Sequence, residues 1–70
     1  MELSTRNQLS GTVKAVKEDQ IMAEVIVTLG DGQEVVSVIT AASVRRLKLA
    51  PAKTVKVLIK ATEAMLAVEN

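Results

Sequence analysis

The sequence contains no cysteine, no histidine, and no tryptophan, tyrosine or phenylalanine. Each absence excludes a class of chemistry. Without Cys there is no disulfide, and without Cys or His there is no ordinary zinc site, thiol nucleophile, Ser-His-Asp triad, haem ligand or iron–sulfur ligand. Without aromatics there is no platform on which single-stranded bases could stack. Charge of one sign is also missing: 9 Lys and Arg against 8 Asp and Glu give +1, which is no electrostatic footprint for duplex DNA. No apolar run reaches the roughly 18 residues of a membrane span, and the polar opening MELSTRNQ lacks the apolar stretch of a signal peptide. The expected location is the cytoplasm, with neither membrane nor nucleic acid as partner.

What is present is apolar and short. At 70 residues the chain is expected to be one domain, 1–70, and 49% of its residues are hydrophobic. A domain of this size buries only about 60% of the surface its unfolded chain exposes. With disulfides and metals excluded, association with further copies is the remaining means of covering the apolar excess, so a homo-oligomer is expected.

The apolar pattern has mostly period two. Leu9, Gly11, Val13 and Ala15 alternate with polar residues up to the charged turn Lys17–Gln20. Ile21, Ala23, Val25, Val27 and Leu29 then share one strand face, opposite Met22, Glu24, Ile26 and Thr28. Gly30-Asp31-Gly32 is a hairpin turn signal, and Val35–Ile39 suits a strand covered on both faces, by its own fold and by a neighbouring subunit. The period changes after Thr40, a candidate N-cap. Val44 and Leu47 lie three apart among Arg45, Arg46 and Lys48, and Pro51 is expected to end that helix. Thr54–Ala61 alternates again, and Glu63–Val68 reads as a last strand with Ala64, Leu66 and Val68 on one side. Three strands, a short helix and two strands is the order of an all-β, five-stranded OB-like Greek-key barrel with one short helix between strands 3 and 4.

Few polar groups remain for chemistry. The acidic residues are scattered, with no spacing for a catalytic pair or a calcium loop, so the chain is not expected to be an enzyme. Ser4-Thr5-Arg6-Asn7 precedes the first strand, Thr40 and Ser43 begin the helix, and Lys60 follows an otherwise apolar strand. The plain reading of each is structural: a solvated terminus, capping hydroxyls, a strand-edge lysine. The Arg45-Arg46-Lys48 cluster reads as a solvated helix face. Taken together, Arg6, Lys60, the two hydroxyls and a helix N-terminus suit a small tetrahedral dianion rather than a bare metal cation.

Ser4-Thr5-Arg6-Asn7-Gln8-Leu9-Ser10-Gly11-Thr12-Val13 resembles the S-A-R-N-Q-L-x-G-x-V opening of the Mop family, the molbindins. The likeness continues through Ala23–Val27, the Gly-Asp-Gly turn, Ile39–Val44 and Leu58–Val68, so it spans essentially the whole chain. The resemblance implies an OB-like barrel that assembles as a hexamer, a trimer of dimers, and binds molybdate at subunit interfaces for molybdenum storage or homeostasis. It also implies the ligand residues Ser4, Arg6, Thr40, Ser43 and Lys60, with Ala61 contributing a backbone N–H. Molybdenum would then arrive as MoO₄²⁻, already satisfied by four oxo ligands, so no direct bond from protein to metal is expected. Tungstate, alike in charge and size, should bind similarly. The sequence departs from the pattern at Thr5 and at Ala50-Pro51-Ala52-Lys53, where the family often has an acidic, Gly-containing turn. Nothing aromatic is present to stack on a pterin, and none is expected as a ligand. The competing readings are an OB-type nucleic-acid-binding module, which lacks its aromatics and basic groove here, and a purely structural assembly module.

Overall fold

The computed structural model describes residues 2–69. Strand β1 covers Asn7–Glu18, β2 Met22–Leu29, β3 Glu34–Thr40 and β4 Thr54–Ile59. Helix α1 covers Ala41–Leu47, and a 3₁₀ turn covers Ala61–Glu63. All pairings are antiparallel, in the spatial order β3-β2-β1-β4.

Strand β1 is the spine of this sheet. Its first half, Asn7–Thr12, pairs with β4, and Gly11–Glu18 pairs with β2. The two ladders overlap at Gly11, which lies opposite both Leu29 and Val55, and at Thr12, opposite both Thr28 and Thr54. A Cβ at Gly11 would sit 2.5 Å from Val27 Cγ1 and 2.8 Å from the Thr28 carbonyl oxygen, so only glycine permits this approach. Just beyond it the register shifts between Val13 and Ala15, a β-bulge. The bulge corrects the expected face of β1: Val13 and Val16, three residues apart, both meet the core, whereas simple alternation had paired Val13 with Ala15.

The core lies on the concave face. Val13, Ala23, Val25, Val27, Ala41 and Val44 are its buried residues, with Leu29, Ile39, Leu49, Val55 and Val57 packed around most of them. The expected inward face of β2 is therefore realised from Ala23 to Val27, whereas Ile21 is 72% exposed and lies outside the strand. The hairpin between β2 and β3 closes with Leu29 N–H donating to the Gln33 carbonyl (2.7 Å), and Gly32 supplies the positive φ of 90°.

Two expectations change at the helix and after it. Helix α1 ends at Leu47, four residues before Pro51. Lys48 turns left-handed (φ 55°), and the Leu49 N–H closes the helix on the Val44 carbonyl at 3.0 Å. Pro51 falls in the following turn, where Ala52 adopts φ 78°. An alanine thus holds a left-handed conformation within Ala50-Pro51-Ala52-Lys53, the segment where the sequence departs from the pattern it resembles. It is held by Ala52 N–H to the Val13 carbonyl and Val13 N–H to the Lys53 carbonyl, both 2.9 Å.

Among the described residues the structure forms four strands, and the expected fifth, Glu63–Val68, is not one of them. Glu63 ends the 3₁₀ turn, and residues 64–69 carry no strand pairing. Alternation makes a segment fit for a strand, but a strand also needs an edge to pair with, and this segment meets none among the described residues. Met65, Leu66 and Val68 stand 93%, 96% and 83% exposed. The sheet curls without closing: an apolar cleft of about 280 Å³, lined by residues of all four strands with Leu47 and Leu49, stays open.

Candidate functional site

The residues singled out for anion binding fall into two groups, at opposite ends of β1. The first is where β1 begins and β4 ends. Asn7 lies opposite Ile59, and its side-chain Nδ2 donates to the Ile59 carbonyl at 3.1 Å, clamping the strands together. That register, carried one residue further, sets Arg6 level with Lys60. Gln8 Nε2 donates to the Thr5 carbonyl (2.7 Å) and holds the preceding segment in place, while Lys60 leads into the 3₁₀ turn that starts at Ala61. Ser4, Arg6, Lys60 and Ala61 are all exposed. The two ion pairs among the described residues, Lys14–Glu34 at 2.6 Å and Arg45–Glu18 at 3.1 Å, involve neither Arg6 nor Lys60. Asn7 and Gln8 belong to the same opening motif but have structural duties, which sequence reasoning did not separate from the rest.

The second group is where β3 ends and α1 begins. Thr40 lies opposite Met22, and the Ala41 N–H donates to the Ile21 carbonyl at 2.8 Å. The expected cap forms: Thr40 Oγ1 accepts from the Ser43 N–H at 3.1 Å and donates to Ser43 Oγ at 2.8 Å. Thr40 is exposed and Ser43 half-buried. The pair therefore presents neutral hydroxyls in a fixed arrangement, with no formal charge.

The twelve residues of β1 separate these groups. At about 3.3 Å per residue that is roughly 40 Å of strand. No hydrogen bond or ion pair joins Ser4, Arg6, Lys60 or Ala61 to Thr40 or Ser43 among the described residues. A tetrahedral oxyanion a few ångströms across could touch one group or the other within a chain, but not both.

The turn beside the second group carries its own electrostatics. Asp19 Oδ1 accepts from the Met22 N–H (2.8 Å) and the Ile21 N–H (2.9 Å), and these bonds hold its carboxyl below the ordinary aspartate value. Asp31, in the β2–β3 turn, is lowered by the Gln33 side chain and the Gln33 N–H. The surroundings of Thr40 lie on the face of β3 that was expected to be covered by a neighbouring subunit. Val36, Val38 and Thr40 share one exposed face of β3, with Met22 and Glu24 beside them on β2. The sequence signal for this face is the run Val35–Ile39, apolar on both sides apart from Ser37. Among the described residues no cluster of carboxylates could hold a metal ion, and no helix is long and apolar enough to cross a membrane.

Residues 3–66 match the TOBE domain family. The chain is 36% identical to molybdenum-pterin-binding protein 3 of Clostridium pasteurianum over 66 residues, covering 94% of this chain and 97% of the relative. Among solved structures, a molybdate-binding protein from Sporomusa ovata superposes with a TM-score of 0.91 at 38% identity, over 97% of this chain and all of that one. The cytoplasmic molybdate-binding protein ModG, in a molybdate-bound form, superposes with a TM-score of 0.84 at 39% identity, over 87% of this chain and 43% of its own.

Proposed function

The chain belongs to the TOBE domain family, among its molybdenum-pterin-binding proteins, and from that premise we propose that it binds the molybdate oxyanion between subunits, as a cytoplasmic storage or homeostasis protein rather than an enzyme. The observation that carries this reading is the division of the candidate ligands into a cationic group and a hydroxyl group at opposite ends of β1. Arg6 and Lys60 offset the two negative charges. Ser4, Thr40, Ser43 and the Ala61 N–H serve the remaining oxygen lone pairs. A complete site combines the first group of one copy with the second group of another.

The energetics allow it. A hydrogen bond to a charged group contributes about 1.5–3 kcal/mol when well placed. Three or four such bonds, less the cost of association, reach the roughly −8 kcal/mol of micromolar binding. Tungstate fits the same donors, and sulfate, being smaller, fits them less well. The relatives' name includes a pterin, but this chain offers no aromatic ring to hold one, and the ligand proposed is the oxyanion alone.

Two features of the single chain support an oligomer. Residues 64–69 expose an alternating apolar segment with no partner strand, and the cleft beside β3 and β4 lacks the strand that would close it. In the assembly a second copy's segment fills that role, and the stoichiometry proposed is a hexamer, a trimer of dimers.

Calorimetry with molybdate, tungstate and sulfate, together with a mass measurement of the assembly, tests the reading. Micromolar heats for the first two, weak heat for sulfate and a mass above that of one chain are expected. No heat at millimolar molybdate would refute it.

A further inference from the structure

The β2–β3 turn carries chemistry that anion binding does not use. Asp31 is followed by Gly32, whereas the other aspartate of the chain, Asp19, precedes Gln20. In an Asp-Gly step no side chain shields the glycine amide, so its nitrogen can reach the aspartate carboxyl carbon and close a five-membered succinimide. Both residues are exposed here, and a Cβ placed on Gly32 would meet nothing within 4 Å. Space alone would leave the turn reactive, yet both reacting groups are engaged elsewhere. The Gly32 N–H donates backwards to the Leu29 carbonyl at 3.0 Å. The Asp31 carboxylate is turned forwards: Oδ1 accepts from the Gln33 N–H at 3.1 Å and Oδ2 from Gln33 Nε2 at 2.5 Å. Ring closure consumes the neutral acid, whose hydroxyl leaves, and the Gln33 bonds favour the ionised form instead.

We propose that Asp31 is a latent isoaspartate site, and that the Gln33 side chain is the guard that keeps it closed in the folded chain. Once the guard is lost, the Gly32 nitrogen gives up its proton and bonds to Asp31 Cγ. The carboxyl gives up its hydroxyl, and one water leaves. Water then reopens the ring in one of two ways. Cleavage of the new Cγ–N bond returns aspartate. Cleavage of the original bond, between the Asp31 main-chain carbonyl carbon and the Gly32 nitrogen, leaves isoaspartate. The mass is then unchanged, but the main chain gains one carbon inside a turn that Leu29 N–H closes on the Gln33 carbonyl at 2.7 Å. The α-carboxylate so displaced is the group that an isoaspartate-specific carboxyl methyltransferase esterifies, so the aged turn is a substrate for that class of repair enzyme. Neither the site nor its test depends on the oxyanion reading.

The test ages the full chain in warm neutral buffer, with and without urea, beside Gln33→Ala and Gln33→Lys. Isoaspartate is read by methyl transfer from S-adenosylmethionine with the isoaspartate methyltransferase, and placed at Asp31 by peptide mapping. In the folded state Gln33→Ala should accumulate it severalfold faster than the unmodified chain. Gln33→Lys again offers the carboxylate a donor and should return close to the unmodified rate. In urea all three should age alike and fast, because the guard exists only in the folded turn. Circular dichroism checks the fold, and if Gln33→Ala perturbs the spectrum, Gln33→Met, which keeps the side-chain length without its donor, carries the decision. A folded Gln33→Ala or Gln33→Met that ages no faster than the unmodified chain would overturn the guard, as would a Gln33→Lys that ages as fast as they do. Absence of isoaspartate at Asp31 even in urea would overturn the site itself.

Discussion

The two ends of β1 are built on different principles. At the Asn7 end, two cationic side chains stand exposed on a frame clamped by Asn7 and Gln8, and neither is fixed by an ion pair among the described residues. At the Glu18 end, two neutral hydroxyls are bonded to each other and to the backbone, inside a helix cap that the fold itself requires. In the proposed site one end supplies charge from side chains that no ion pair holds among the described residues. The other supplies geometry, and removing its capping hydroxyl disturbs the helix start. A site made from both obtains charge neutralisation and preorganised hydrogen bonds from separate sources, and mutation should separate the two.

The largest effect belongs to the residue between them. Gly11 is where β1 passes from β4 to β2, and a methyl group there collides with Val27 and the Thr28 carbonyl. Gly11→Ala should destabilise the chain by about 1–3 kcal/mol, a melting temperature lower by about 4–8 °C per kcal/mol for a domain this small. Both ends depend on the course of β1, so molybdate affinity should fall along with it. A calorimetric scan showing an unchanged melting temperature would mean that the approach at Gly11 is looser than described.

Next come the ends themselves. Arg6→Ala should weaken molybdate binding at least tenfold, about 1.4 kcal/mol, and leave the ligand-free melting temperature within about 1 °C, because Arg6 is exposed and is in no ion pair among the described residues. Thr40→Ala should lower both quantities. The lost cap costs about 1 kcal/mol, and Ser43 loses the partner of its hydroxyl and of its N–H. Thr40→Ser keeps the cap and should keep both properties. If Arg6→Ala and Thr40→Ala gave the same profile in titration and thermal melts, the two ends would not differ in kind.

Much of this comparison was legible in the sequence. Thr40 as a cap, Gly30-Asp31-Gly32 as a turn and the inward Ala23, Val25 and Val27 follow from local chemistry, which needs no knowledge of what lies across the sheet. The bulge after Val13 was hidden, because Leu9, Gly11, Val13 and Ala15 alternate as though the strand were regular. The helix end was hidden as well, since Lys48 adopts a conformation that glycine usually marks. The segment after Glu63 has a strand's alternation, but pairing depends on an edge that the segment itself does not encode. The candidate ligands were visible as residue types. Their separation was not, because it follows from register: Asn7 opposite Ile59 at one end, Met22 opposite Thr40 at the other.

The smallest expected effect is confined to the hydroxyl end and depends on pH. Asp19 accepts from the Met22 and Ile21 amides, and these bonds favour its ionised form, so its folded pKa lies below the unfolded value. A depressed carboxyl contributes stability that is present above the unfolded pKa, about 3.9 for Asp, and is lost as pH falls through the lower folded value. The turn it holds also positions the helix start, because the Ile21 carbonyl accepts from the Ala41 N–H. Acidification below pH 4 should therefore reduce amide-exchange protection at Ile21 and Met22 first and at Ala41 and Ser43 with it. Asp19→Asn should remove that dependence. Asp31 is depressed in the same direction, but the Gly30–Gln33 turn makes no hydrogen bond to α1 among the described residues, so Asp31→Asn should leave the acid response of Ala41 and Ser43 intact. If Asp31→Asn abolished it equally, the acid response would belong to the whole sheet, and the hydroxyl end would have no separate rigidity to contrast with the cationic one.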